Sequence, residues 1–112
     1  MKEMTMKKFV LAFHGNPTFA KKEDGAAHMT AWKAWITDLG DAVIDAGQPL
    51  GPSKTINADK SVAEDGGANP VVGITILQAS TMDDAVSMVR ACPHLSTGGS
   101  IELAPAVDMN MS

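Results

Sequence analysis

An apolar segment in the second half of the chain constrains the fold more than any other feature. From Val71 to Ala79 the chain is rich in β-branched residues, and both alternating faces are apolar, so the segment predicts a strand that needs cover on both sides. A helical pattern follows from Thr81, and Ser100 to Ala104 returns to alternation after a Gly-Gly turn. This region therefore predicts a strand, a helix and a second strand.

The first half of the chain predicts the same kinds of element. Met6 to Phe13 predicts a first strand, again apolar on both faces, and Ala26 to Ala46 predicts the clearest helix of the chain. Apolar residues recur in that helix at spacings of three and four, namely Met29, Trp32, Ile36, Leu39, Val43 and Ala46. We expect Gly47 to close this helix and Lys54 to Asn57 to form a short edge strand.

The second helix has a recognisable start and stop. Thr81 followed three residues later by Asp84 is typical of a capping box, with the shorter Asp in place of Glu or Gln. Pro93 is expected to end the helix near Ala91, because the residue before a proline avoids the helical region. The predicted buried stripe consists of Met82, Ala85, Val86 and Val89.

The order strand, helix, strand, strand, helix, strand predicts an α+β domain with the ferredoxin-like split βαβ arrangement. Its 112 residues make one domain, spanning 1–112. Both helices would cover one face of a four-stranded antiparallel sheet and leave the other face bare. Because two of the strands are apolar on both sides, we expect a second copy of the chain to cover that face, giving a homodimer.

Charge and composition bear on the partners of the chain. Nine Lys and Arg residues stand against thirteen Asp and Glu residues, so no nucleic acid or anionic membrane partner is expected. The apolar run from Phe9 to Phe13 is too short for a signal peptide or a membrane span. A single cysteine, Cys92, agrees with a reducing compartment, and we expect a cytoplasmic location.

Chain direction gathers the chemically interesting residues at one end of the predicted fold. The first strand ends at His14, the first helix begins near His28, and the second helix ends near Cys92 and His94. In a split βαβ fold these positions share one end with the Asp59–Asn69 loop. We therefore predict a cleft for a small organic ligand at that end.

The histidines are candidates for different tasks. His28, expected in the first turn of a helix, would stay neutral near the positive end of the helix dipole and act as a general base. Alternatively, it is a partly buried side chain bonded to a carbonyl or to water. His94 would serve as an acid or an anion contact at a helix end, and His14 is expected at the surface beside the ligand. Their spacing predicts no metal site, and no cofactor is expected.

Cys92 and the two tryptophans have different expected positions relative to the predicted cleft. Cys92 is expected to be mainly structural, because the negative end of a helix raises a thiol pKa, although it would also contact a ligand in the cleft. Trp32 is expected in the core. Trp35, on the same flank of the helix as His28, is expected to line a pocket for a flat apolar ligand.

The C-terminal third of the chain resembles the YCII-related (DGPF) family of dimeric α/β-barrel proteins. The resemblance rests on Gly73, Asp83, Asp84, Ala85, Cys92, Pro93, His94, Leu95, Gly98 and Gly99. It implies the split βαβ fold, a face-to-face sheet dimer and, in some members, a His-Asp pair. His28 matches the histidine of that pair, but the acid's position is occupied by Cys92, and Asp65-Gly66 is followed by Gly67-Ala68 instead of Pro-Phe. Asp65 is a candidate for the missing carboxylate, or it belongs to a solvated turn.

Two functions remain open from the sequence. The first is an enzyme that binds a small organic molecule and uses His28 as acid or base, in an isomerase-, lyase- or monooxygenase-like step suggested by the fold alone. The second is a non-enzymatic dimeric module that binds a ligand or a regulatory partner.

Overall fold

A computed structural model describes residues 6–15, 19 and 21–107. Its elements are β1 (Lys7–His14), α1 (Lys22–Leu39), β2 (Val43–Pro49), β3 (Thr55–Ile56), β4 (Val62–Ala63), β5 (Val71–Ala79), α2 (Met82–Val89) and β6 (Ser100–Pro105). Short 3₁₀ segments follow both helices, over Gly40–Ala42 and Pro93–Thr97. Of the helices that the structure describes, none combines the length and the apolar character needed to cross a membrane.

Four strands form one antiparallel sheet in the order β2-β5-β1-β6. β1 lies inside the sheet, where Leu11 is opposite Thr75 of β5 on one side and Leu103 of β6 on the other. β3 and β4 pair separately as a small hairpin. The predicted α+β class, with a four-stranded antiparallel sheet and two helices, is therefore confirmed.

The hydrophobic core lies on one face of this sheet. Phe9, Leu11 and Phe13 of β1 are buried on that face, together with Leu77 and Ala79 of β5. The helices contribute the buried residues Trp35, Ala85 and Val89. Burial of these apolar side chains holds both helices against the same side of the sheet.

The alternate residues of the inner strands form what we call the outer sheet face, defined by Val10, Ala12, Ile74 and Ile76. Val10 is opposite Ile76, and Ala12 is opposite Ile74, so the four side chains form one apolar patch. Ile74 is 40% exposed. The sequence pattern of two apolar faces is thus reproduced, with only one face packed against the helices.

The first helix differs from its predicted bounds at both ends. It begins at Lys22 instead of Ala26 and ends at Leu39, because Gly40 takes a φ of 55° that breaks the helical backbone. The chain from Val43 onward then pairs with β5. The prediction of a helix to Ala46 is therefore wrong.

β2, and not Lys54–Asn57, is the edge strand beside β5. Its pairing contains two register irregularities, and Gly47 lies in it with a φ of 71° and donates its N–H to Asp45 Oδ1 at 2.8 Å. A Cβ atom at position 47 would overlap the Ile74 carbonyl. Gly47 is thus a bulge residue of β2 and does not cap a helix, while Thr55–Ile56 pairs only within the hairpin.

The start of α2 agrees with the sequence. The Thr81 hydroxyl accepts the backbone N–H of Asp84 at 3.1 Å, which satisfies a free donor of the first turn. The Asp84 carboxylate accepts the Ser80 hydroxyl at 2.7 Å and so does not complete a capping box. α2 ends at Val89, two residues before the predicted end, and Pro93 opens the following 3₁₀ segment.

Candidate functional site

A groove of about 550 Å³ lies between the N-terminal half of α1 and the 3₁₀ segment Pro93–Thr97. We call it the His28 groove. Its described lining consists of Phe19, Asp24, Ala27, His28 and Ala31 on one side and Pro93, Ser96 and Thr97 on the other. The groove is open to solvent, and its volume lies within the range found for small-molecule sites.

His28 is the titratable side chain with the most perturbed environment in this groove. It is half-buried, and its ring centroid lies 5.1 Å from that of Phe19 and 6.2 Å from that of Trp32. Burial lowers the pKa of His28 below its ordinary 6.5, and the charge of His94 lowers this pKa further. With its pKa below 6.5, the imidazole is mainly neutral at pH 7. Because α1 begins at Lys22, His28 lies in its second turn, so burial and not the helix terminus produces the neutral form.

His94 lies close to His28 but has a structural role of its own. Its side chain is buried, and Nε2 donates to the carbonyl oxygen of His14 at 2.9 Å. Its ring makes an edge contact with Phe13 at a centroid distance of 5.4 Å. The flanking residues Pro93 and Ser96 line the groove, whereas His94 itself lies behind them. The structure thus brings His28 and His94 to one end of the fold without placing both in the groove.

The His14 imidazole lies beside the outer sheet face. Nδ1 lies 3.0 Å from the carbonyl oxygen of Asn69, and Nε2 lies 3.2 Å from Glu102 Oε1. Glu102 is opposite Ala12, so this pair borders the outer sheet face and not the His28 groove. Only the backbone carbonyl of His14 contacts His94, at the end of the fold where both residues lie.

The thiol of Cys92 is unsuited to attack a ligand. It is 3% exposed, and burial raises its pKa to about 11. The hydrogen bond from the backbone N–H of His94 lowers this pKa, but by less than burial raises it. Cys92 packs in the core with Leu11, Phe13 and Val89. The expected structural role is consistent with these contacts, and Cys92 is absent from the groove lining.

The two tryptophans have exchanged the positions expected of them. Trp35 is buried, and its Nε1 donates to the Met88 carbonyl at 3.0 Å, which ties α1 to α2. Trp32 is only half-buried and lies between Phe13, at 4.9 Å, and His28. Trp35 therefore belongs to the core, and Trp32 is the tryptophan nearer the groove.

Asp65 does not supply a carboxylate to His28. Its Oδ1 accepts the N–H of Gly67 at 3.0 Å, and its carbonyl accepts the Thr55 hydroxyl at 2.8 Å, so it closes an exposed turn. The carboxylate that lines the groove is Asp24, one helical turn before His28. Asp24 and His28 are four residues apart, which puts them on one face of a helix. The predicted helix began at Ala26, so this spacing did not identify Asp24.

The groove thus offers an acid–base group, a carboxylate and two hydroxyls around an open volume. A neutral imidazole can take a proton from a bound molecule or return one to it. Within residues 6–15, 19 and 21–107, no three His, Cys, Asp or Glu side chains cluster closely enough to hold a metal ion.

Comparison of the chain with models of known protein families and with curated protein sequences finds no match in either set.

Proposed function

We propose that this chain is a cytoplasmic homodimer of the YCII-related type, which binds a small organic molecule in the His28 groove and uses His28 as an acid–base group. The observation that carries this proposal is a neutral imidazole lining a groove of molecular size. The strand order β2-β5-β1-β6, with one helix after β1 and one after β5, supports a ferredoxin-like split βαβ fold and hence the family resemblance.

The proposed chemistry is a proton transfer on the bound molecule. His28 takes a proton from an acidic C–H or O–H of the substrate, which leaves an imidazolium and a substrate anion. Return of the proton to another atom completes an isomerisation. In an elimination the leaving group departs with the electron pair of its bond, and the imidazolium gives its proton to that group or to solvent. Neither step needs an oxidant.

The outer sheet face supports the homodimer. Its apolar patch is central to a sheet whose other face is already occupied by both helices. A second copy related by a two-fold axis would place the same apolar residues against one another and remove Ile74 from water.

A non-enzymatic ligand-binding module is the second candidate, and one observation favours it. Among the described residues no carboxylate is hydrogen-bonded to His28, and the position where the resemblance implies an acid is the buried Cys92. An imidazole without an orienting acid is a weaker catalyst than one held in place by a carboxylate.

Histidine ring signals followed by NMR distinguish the two candidates. Small carbonyl compounds, carboxylic acids and amines are added to the wild-type protein, and those that move the His28 signals are incubated with it and assayed for products. Conversion that is lost in His28→Gln and kept in the matched variant His14→Gln supports the enzyme. Binding without conversion supports the ligand-binding module, and a complete lack of binding at His28 contradicts both.

Sedimentation velocity tests the homodimer. The wild-type protein is expected at twice the mass of one chain, and Ile74→Lys should shift it to one chain. Ile56→Lys is the matched control, because Ile56 is 70% exposed on the small hairpin. A wild-type mass of one chain at micromolar concentration contradicts the dimer.

A further inference from the structure

The His28 groove offers a ligand more hydrogen-bond acceptors than donors. The Ser96 hydroxyl donates to the carbonyl of Pro93 at 2.7 Å, and the Thr97 hydroxyl donates to the carbonyl of His94 at 2.7 Å. A hydroxyl has a single hydrogen, so both oxygens have only lone pairs left for a ligand. The 3₁₀ side of the groove therefore presents acceptors.

The helix side adds a further acceptor. Asp24 contributes a carboxylate, whose oxygens only accept hydrogen bonds when ionised. The neutral His28 ring carries one donor and one acceptor. Lysine and arginine are absent from the described lining, so the described groove offers an anion no charged partner.

The apolar part of the groove is suited to a flat ring. Phe19 is 41% exposed, and its ring is tilted by 41° to the ring of His28. Ala27 and Ala31 leave room on the same helix face, and Pro93 closes the opposite side. An aromatic wall next to a carboxylate attracts organic cations through both the ring face and the negative charge.

We propose that the ligand of the His28 groove is an amine, a positively charged or hydrogen-donating nitrogen carried on a flat apolar body. This inference rests on the proposed small-molecule function of the same groove and names the class of molecule that it takes. The ammonium lies against Asp24 and the hydroxyls of Ser96 and Thr97, and the ring lies between Phe19 and Pro93.

Benzylamine, benzyl alcohol and benzoate have the same ring and differ in the polar group, so they test this selectivity. Their dissociation constants are measured on the wild-type protein from the NMR shifts of the His28 ring. Benzylamine is expected to bind most tightly, and Asp24→Asn should weaken it about tenfold while leaving benzyl alcohol unchanged. Asp38→Asn, at an exposed position of the same helix outside the groove lining, is the matched control.

The titration of His28 gives a second readout. A bound ammonium should lower the pKa of His28, since like charges disfavour the imidazolium, whereas a bound carboxylate should raise it. Benzoate binding as tightly as benzylamine would overturn the amine assignment while leaving the groove as a ligand site. Binding of none of the three compounds at His28 would overturn the amine assignment as well, and the broader set of compounds described above then decides whether the groove binds ligands at all.

Discussion

The Nε2 atom of His94 lies 2.9 Å from the carbonyl oxygen of His14, and this contact joins residues 80 positions apart. It fastens the 3₁₀ segment after α2 to the end of β1. Gly99 makes the approach sterically feasible, because a Cβ atom at position 99 would overlap His94 Nε2 and lie 2.8 Å from the same carbonyl oxygen. The contact between His94 and the end of β1 thus depends on the absence of a side chain at position 99.

Gly99→Ala should lower the free energy of unfolding by about 2 kcal/mol, because the added methyl group forces His94 or the strand end to move. Urea denaturation measures the change. Gly51→Ala is the matched control, since a Cβ at position 51 meets no atom within 4 Å and the backbone there has no positive φ. It should stay within about 0.5 kcal/mol of wild type. Equal effects of the two substitutions would contradict the close approach at Gly99.

Trp35→Phe should destabilise the protein by about 2 kcal/mol, because it removes the Nε1–H donor to the Met88 carbonyl and reduces the volume of a buried side chain. Trp32→Phe, at the half-buried neighbouring position, should cost about 1 kcal/mol or less. Urea denaturation of both variants gives the order of the two effects. A larger loss of stability in Trp32→Phe than in Trp35→Phe would contradict the burial of Trp35 in the core.

The sequence predicted β5 and the start of α2 well, and it failed at both ends of α1. Val71–Ala79 is confirmed residue for residue, because Pro70 and the Thr81 cap mark its ends. The start of α1 lacks such a mark, since the residue before it, Lys21, makes no side-chain cap, whereas its end is marked by Gly40 with a φ of 55°. Val43 and Ala46 continue the helical spacing, but pairing with β5 outweighs that local pattern.

Stability should fall as the pH decreases below about 6.5. The folded-state pKa of His28 is lower than 6.5, so the unfolded chain takes up its proton first and the free energy of unfolding decreases with decreasing pH. Urea midpoints between pH 7.5 and about 5 measure this slope. His28→Gln should make the slope shallower, and an unchanged slope would show that His28 is not desolvated.

The charge of His94 should also appear in the titration of His28. Because that charge contributes to the lowered pKa, His94→Gln should raise the pKa of His28. NMR titration of the ring protons measures the shift. His14→Gln is the matched control, since His14 is not among the groups that lower this pKa.

Cys92 should react slowly in the folded protein. A pKa of about 11 in place of 9.0 reduces the thiolate fraction at pH 8 about 100-fold, and burial restricts access in addition. Iodoacetamide labelling followed by mass spectrometry should therefore be at least about 100-fold slower in buffer than in denaturing urea. Cys92 is the only cysteine, so a single modification is expected. Native labelling at the denatured rate would contradict its burial.

The site was harder to predict than the fold, because it depends on which face of α1 is buried. Shifting the helix start by four residues moves Asp24 from an assumed loop onto the turn before His28. The same packing places Trp35 in the core and Trp32 nearer the groove. Chain direction did predict that His14, His28 and His94 share one end, but the side to which each ring points is set by packing.

Both lateral edges of the sheet are poor templates for a further strand. The two irregularities of β2 and the unusual backbone of Gly47 interrupt the row of donors and acceptors along one edge. β6 at the other edge ends in Pro105, which has no N–H to donate. Side-by-side growth into open-ended fibrils is therefore discouraged, and the apolar patch of the outer sheet face is the surface through which the proposed homodimer would form.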